Sequence, residues 1–378
     1  MTTSPAAHTP APHTHHPPVF PTSCWAALAW SAAALGLALG WLAGVVPLGG
    51  ENVALGSLLA VVGPGVSIAV TAVLGAVGMA VALLLPRGAP SALLEPLAWS
   101  LAGVLLLVYV ESSLLVWLGY TMVTPVLVWA EPALGPEYVA YTFSPELLQV
   151  LFFTLGVGLW GWAALMLRRQ RRRACVRCGR GADWSTGTER SLRWRALRTG
   201  RIAVAVAFVL ALPYPAMRVP WLFGYPMGMD EERFAELAAD PASMAVGVGL
   251  GSAGLVGAVL MLGLVQGWGV RLPFWAVGLA GRRVPVPLAV APALLVSLAL
   301  MGTGRGVLVQ VWTMGEVSAG LAPHLVVFAT MPLWAAALAA ATAAYALRRR
   351  AECGVCERGL PEAWPVAAVE SAGHGYRG

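Results

Sequence analysis

Lysine is absent from this chain, and only 11% of its 378 residues are charged, where soluble domains average about 25%. So few charges cannot cover a water-exposed fold, and 58% apolar residues with a mean hydropathy of +0.73 exclude an ordinary soluble domain. No catalytic signature is present either, so the residues name no reaction and no substrate. The first 23 residues, MTTSPAAHTPAPHTHHPPVFPTS, lack the basic n-region of a signal peptide and read as a disordered tail (residues 1–23) before a retained first anchor.

What the chain does have is long apolar runs. Segments near the roughly 20 residues needed to cross about 30 Å of hydrocarbon fall at 25–48, 66–86, 97–119, 146–167, 202–223, 244–265, 284–311 and 321–347. Backbone groups in lipid must be satisfied within their own segment, so these runs predict eight helices rather than strands. The expected fold class is all-α, a polytopic membrane protein with eight transmembrane helices.

All 24 basic residues are arginine, and their placement sets an orientation through the preference of cytoplasmic loops for positive charge. With the N-terminus cytoplasmic, Arg218 falls within a span, Arg233 and Arg305 lie toward the outer side, and the other 21 arginines are cytoplasmic. Twelve of them crowd residues 168–201, where they are expected to lie against anionic headgroups at about 1 kcal/mol each. The net charge of +6 is therefore a membrane signal, and nucleic acid is not an expected partner.

Two stretches repeat. RRQRRRACVRCGRG carries Cys175 and Cys178, and RRRAECGVCERG carries Cys353 and Cys356, 178 residues later. Trp41 and Trp221 open WLAG and WLFG at an offset of 180, and Pro96 and Pro287 open two PLA runs at an offset of 191. The pattern predicts two parallel four-helix repeats, 24–184 and 201–365, each ending in CxxC. A basic linker at 185–200 joins them, and a tail follows at 366–378. Even numbers of spans per half bring both CxxC pairs to the cytoplasmic side.

A CxxC turn offers two thiolates to one metal, and tetrahedral zinc takes four, so Cys175, Cys178, Cys353 and Cys356 are the candidate ligands of a structural zinc. A dithiol redox pair is the functional competitor, with Arg172, Arg173 and Arg177 favouring thiolate, though no thioredoxin-like context surrounds either pair. Cys24, alone at the mouth of the first span, reads as an interfacial residue.

Ionisable groups inside spans are costly and mark candidate sites. Glu111 in the third span and Arg218 in the fifth lie at similar depth, and Arg305 in the seventh occupies the stretch aligned with Glu111, so either arginine is a candidate partner for that carboxylate. The prolines of ALPYPAMRVPWLFGYP predict a broken fifth helix, and the seventh is expected to carry its polar break at the matching place. Gly249-Leu-Gly-Ser-Ala-Gly254 fits a dinucleotide fingerprint but lies in a lipid-length apolar run, where close helix packing explains it.

The stretch PYPAMRVPWLFGYPMG, together with an arginine-ended span running into CVRCGRG, resembles uncharacterised multi-pass membrane proteins of high-GC actinobacteria. The resemblance implies a bacterial plasma membrane and carries no activity. The expected role is a non-enzymatic membrane scaffold or regulator whose halves are joined by a zinc clasp. The alternatives are a small-solute transporter using Glu111, Arg218 and Arg305, and a membrane dithiol oxidoreductase.

Overall fold

A computed structural model describes residues 20–48, 58–85, 91–273, 278, 280–314 and 322–362. Most of the expected N-terminal tail and all of the C-terminal one lie outside them. Helices follow one another as α1 (Phe20–Leu42), α2 (Leu58–Val62), α3 (Pro64–Leu84), α4 (Ser91–Tyr109), α5 (Ser112–Leu127), α6 (Leu134–Thr142) and α7 (Pro145–Arg171). The chain continues through α8 (Thr186–Ala211), α9 (Pro213–Arg218), a 3-10 turn at Val219–Phe223, α10 (Glu231–Ala239), α11 (Pro241–Leu262), α12 (Val286–Met314), α13 (Ala322–Ala329) and α14 (Met331–Arg348). Among the described residues there is no strand, only a bridge between Arg271 and Arg283.

Among the described residues, seven helices are long and apolar enough to cross a membrane: Thr22–Leu42, Pro64–Leu84, Ala92–Tyr109, Pro145–Arg171, Thr186–Phe223, Pro241–Leu262 and Val286–Thr313. The expected eighth crossing corresponds to α13 and α14, separated at Thr330; α14 has 18 residues, is alanine-rich and ends on Arg348, so its apolar signal is weaker. The ends are set by local chemistry. Ser144 accepts a bond from the Leu147 N–H before Pro145 starts α7, and Arg168, Arg169 and Arg171 occupy its last turn, where the helix dipole favours cations. Asp240 likewise caps α11 through the N–H groups of Ala242 and Ser243.

Two cores form, one in each half of the chain. In the first, Trp30, Tyr109, Phe153 and Trp160 pack between α1, α4 and α7, with Tyr109 stacked on Phe153 at 3.9 Å and bonded to Thr71 at 2.7 Å. In the second, Val204, Ala207, Met261, Leu338 and Tyr345 join α8, α11 and α14. The cores meet where Ala299 of α12 enters the first and Leu115 of α5 borders both. In each half a long earlier helix packs along the last, α4 on α7 and α12 on α14. The first helices differ: α1 lies mainly on α3, whereas α8 lies mainly on α14.

Two expectations change at the broken helices. The third span does not run through 97–119; it stops at Tyr109, passes extended through Val110 and Glu111, and restarts as α5. Glu111 takes the N-cap position, where its charge suits the start of the new helix. The seventh span shows no matching break, because α12 is continuous through Gly302 and Arg305. Within the basic linker expected at 185–200, residues 186–200 are helical and form the first turns of α8, opened by a Ser185–Thr188 capping box. The proline-rich break in the fifth span is present, with α8 ending at Ala211 and α9 beginning at Pro213.

The close approach of α12 compensates for the break in the third span. Arg305 Nη2 donates to Val110 O at 2.9 Å, which satisfies a carbonyl that the interrupted helix leaves free. Gly302 makes room for this contact, since a Cβ there would lie 2.5 Å from the same oxygen. Gly302→Val is therefore expected to destabilise the detergent-purified protein by roughly 1–3 kcal/mol, read as an earlier thermal midpoint, whereas valine at the open position Gly103 is expected to have a much smaller effect.

Candidate metal centre

Each CxxC pair follows an arginine-ended helix, α7 or α14, and the two turns close with matching bonds. Cys175 N–H donates to Arg180 O at 2.9 Å and Gly179 N–H to Cys175 O at 2.7 Å. In the second half, Cys353 N–H donates to Arg358 O at 3.0 Å and Glu357 N–H to Cys353 O at 2.8 Å. Such a turn needs a left-handed residue after the second cysteine. Gly179 supplies it at φ +74°, and Glu357, an exposed side chain, is forced into it at φ +54°.

The two turns face each other. Cys175 Sγ lies 3.9 Å from Cys353 Sγ, and Cys178 Sγ lies 3.5 Å from Cys356 Sγ. All four sulfurs fall within 4.8 Å of one another. A tetrahedron with Zn–S bonds of about 2.3 Å has sulfur–sulfur edges of about 3.8 Å, so the cluster has the size of a four-thiolate metal site. None of the four is in a disulfide.

Charge around the sulfurs is organised by one carboxylate. Glu189, in the first turn of α8 and 2% exposed, accepts both Arg180 Nη2 at 2.8 Å and Arg180 Nε at 3.0 Å, and Trp184 Nε1 at 3.1 Å. Arg193 and Arg350 approach it at 3.6 and 3.5 Å. Held this way, Arg180 and Arg350 bond across the halves, and Arg193 ties the start of α8 to the segment after the second turn. Arg180 donates to the carbonyls of Ala351 and Arg358 at 3.0 Å each, Arg193 to Leu360 and Pro361 at 2.8 Å each, and Arg350 to Cys178 O at 3.1 Å. Arg358 returns a bond to Gly181 O. The paired carboxylate strengthens the hold of Arg180 on its proton.

The thiols differ in acidity. Burial opposes charge on Cys353, but N–H groups of Cys356 and Val355 and the neighbouring thiols outweigh it and bring its pKa down to about 7. Burial together with the other three sulfurs pushes Cys356 up to about 12. Four sulfurs this close repel one another as thiolates, and a cation at their centre relieves that repulsion. The cluster opens on one side to a cleft of about 480 Å³ lined by Arg169, Arg177, Leu347 and Arg350 as well as Cys178 and Cys353.

The expected intramembrane residues occupy other positions. Glu111 is 5% exposed at the helix break, and its charge acts on Arg305. Arg218 lies over the Trp221 ring at 4.2 Å and the Tyr214 ring at 5.5 Å, against the glycine face of α11 at Gly247 and Gly251. Of the twelve arginines in 168–201, nine are exposed, Arg169 is partly covered, and Arg180 and Arg193 are buried in the carboxylate network. Sequence reasoning missed Glu189, Arg180, Arg193 and Arg350. The available signal was that Glu189 is one of two acids, with Asp183, among those twelve arginines.

Searches of family models, curated proteins and solved structures returned no match to this chain.

Replacing Glu189 by Gln leaves buried guanidinium groups without their counter-charge, so the loss is expected to be about 3–5 kcal/mol in denaturant unfolding of the purified protein. Glu357→Gly relieves the left-handed backbone and is expected to add about 1 kcal/mol, whereas Gly179→Ala should cost a similar amount.

Proposed function

We propose that this chain is an integral membrane protein of two related four-helix halves, with eight crossings, whose four cysteines hold one structural zinc ion. The ion locks the halves together at one end of the bundle, and the protein acts as a non-enzymatic scaffold or regulator. One observation carries the reading: four sulfurs, two from each half, lie within 4.8 Å of one another at tetrahedral spacing. The matching turns 178 residues apart support descent from one duplicated unit.

Zinc suits the donors, because four thiolates and a closed shell are the structural form of the site. The surrounding arginines then offset the net negative charge of a four-thiolate zinc centre, and their bonds to knuckle carbonyls orient the ligands from behind. The arginine bias supports a cytoplasmic location for the clasp and for both termini, with the nine exposed arginines of 168–201 toward anionic headgroups. The arginine-only base content and the motif resemblance support a bacterial plasma membrane.

Metal analysis of the detergent-purified protein is expected to find about one zinc per chain, lost in Cys175→Ser and in Cys353→Ser. A chelator should lower the melting temperature of the parent protein to that of the variants and leave the variants unmoved. Metal-free parent protein would overturn the clasp. A disulfide that forms and breaks reversibly within each pair would instead favour the oxidoreductase, and solvent access to a cysteine placed at Glu111 would favour the transporter.

A further inference from the structure

Another cavity lies at the end of the bundle away from the cysteines. It is a groove of about 820 Å³ between α5 and α11, lined also by Leu222 and by Ala238 of α10. Its α11 side runs from Pro241 to Val256, about 22 Å at roughly 1.5 Å per residue. That length spans one leaflet of a hydrocarbon core about 30 Å thick together with its interface. The far end of α11 leads to Leu264, whose carbonyl accepts Arg348 beside the cysteine turns, so Pro241 marks the opposite membrane face.

The lining is apolar apart from Ser252, and its floor is made of small side chains, so the backbones of α5 and α11 come close. At Gly249 a Cβ would meet Val123 at 2.7 Å. In hydrocarbon there is no water to fill such a groove, and a void would forfeit the dispersion contacts of its walls. The occupant that the surroundings supply is an acyl chain.

The segment at the mouth is predominantly acidic. Asp240 sits between the lining residues Ala238 and Pro241 and is exposed, as are Asp230, Glu231, Glu232 and Glu236 on the preceding turns. The base among them, Arg233, is 3.8 Å from Asp230. An anionic head at this mouth would meet like charge, while a primary amine would meet carboxylates that it can both bond and neutralise.

We propose that the groove is a lipid site that selects a phospholipid with a primary-amine head, its chain lying between α5 and α11 and its ammonium against Asp240. This site depends on the membrane assignment and not on zinc, so loss of the clasp would leave it standing.

The test is native mass spectrometry of delipidated protein titrated with phosphatidylethanolamine or phosphatidylglycerol of identical chains. One phosphatidylethanolamine per chain is expected to bind about threefold or more tighter than phosphatidylglycerol. Ser252→Phe fills the groove and should abolish retention of both. Asp240→Asn keeps the cap on α11, since Asn caps as well as Asp, and should erase the head preference while keeping chain binding. Zinc content and melting temperature report folding of each variant. Equal affinity of the parent protein for both lipids, an unchanged preference in the charge variant, or a dimer that Ser252→Phe abolishes would each overturn the assignment.

Discussion

The buried carboxylate of Glu189 holds the cysteine end of the molecule together. One charge on α8 orders Arg180, which then reaches the carbonyls of the second CxxC turn, and it meets Arg350, which reaches back to the first. Burying several guanidinium groups without such a partner would cost more than their bonds return. The sulfurs are thus presented by two backbone turns whose relative position is set by ion-paired arginines, and a bound cation would complete an arrangement already organised from behind.

This arrangement gives the arginine runs two distinct tasks. Arg348 and Arg349 look like the anchoring cluster that ends any crossing helix, yet both are buried. They donate to Leu264, Gly269 and Val284, tying α14 to the segment between α11 and α12. Arg180 joins the halves and Arg193 ties the start of α8 to the segment after the second CxxC turn, while nine of the arginines of 168–201 stay exposed. A guanidinium can do this because its planar fork serves several carbonyls at once.

The membrane-embedded part follows a different rule. At the break before α5, Arg305 donates to Val110 and satisfies the carbonyl that the interruption frees. The 3-10 turn after α9 closes through Gly224 in the left-handed region, with Arg218 folded over Trp221. These breaks lie in α4–α5 and α8–α9, which are not equivalent positions in the two halves, so any common ancestry is carried by the cysteine turns and the packing of α4 on α7 and α12 on α14 rather than by every span.

From residue order alone came the helical class, most of the crossings, the proline break after Ala211 and the pairing of two CxxC turns, because apolar run length, proline and short spacings are local properties. Glu111 shows the limit of that reading: its polarity was visible within an apolar run, but whether it interrupts the helix depends on α12 passing close enough at Gly302 for Arg305 to satisfy Val110. Glu189 shows it again, an acid with no motif around it whose role exists only once α8, α14 and both turns converge. Which sulfurs meet, which arginines are spent on structure and which grooves stay open were decided by tertiary packing, since those outcomes depend on distances between segments more than a hundred residues apart.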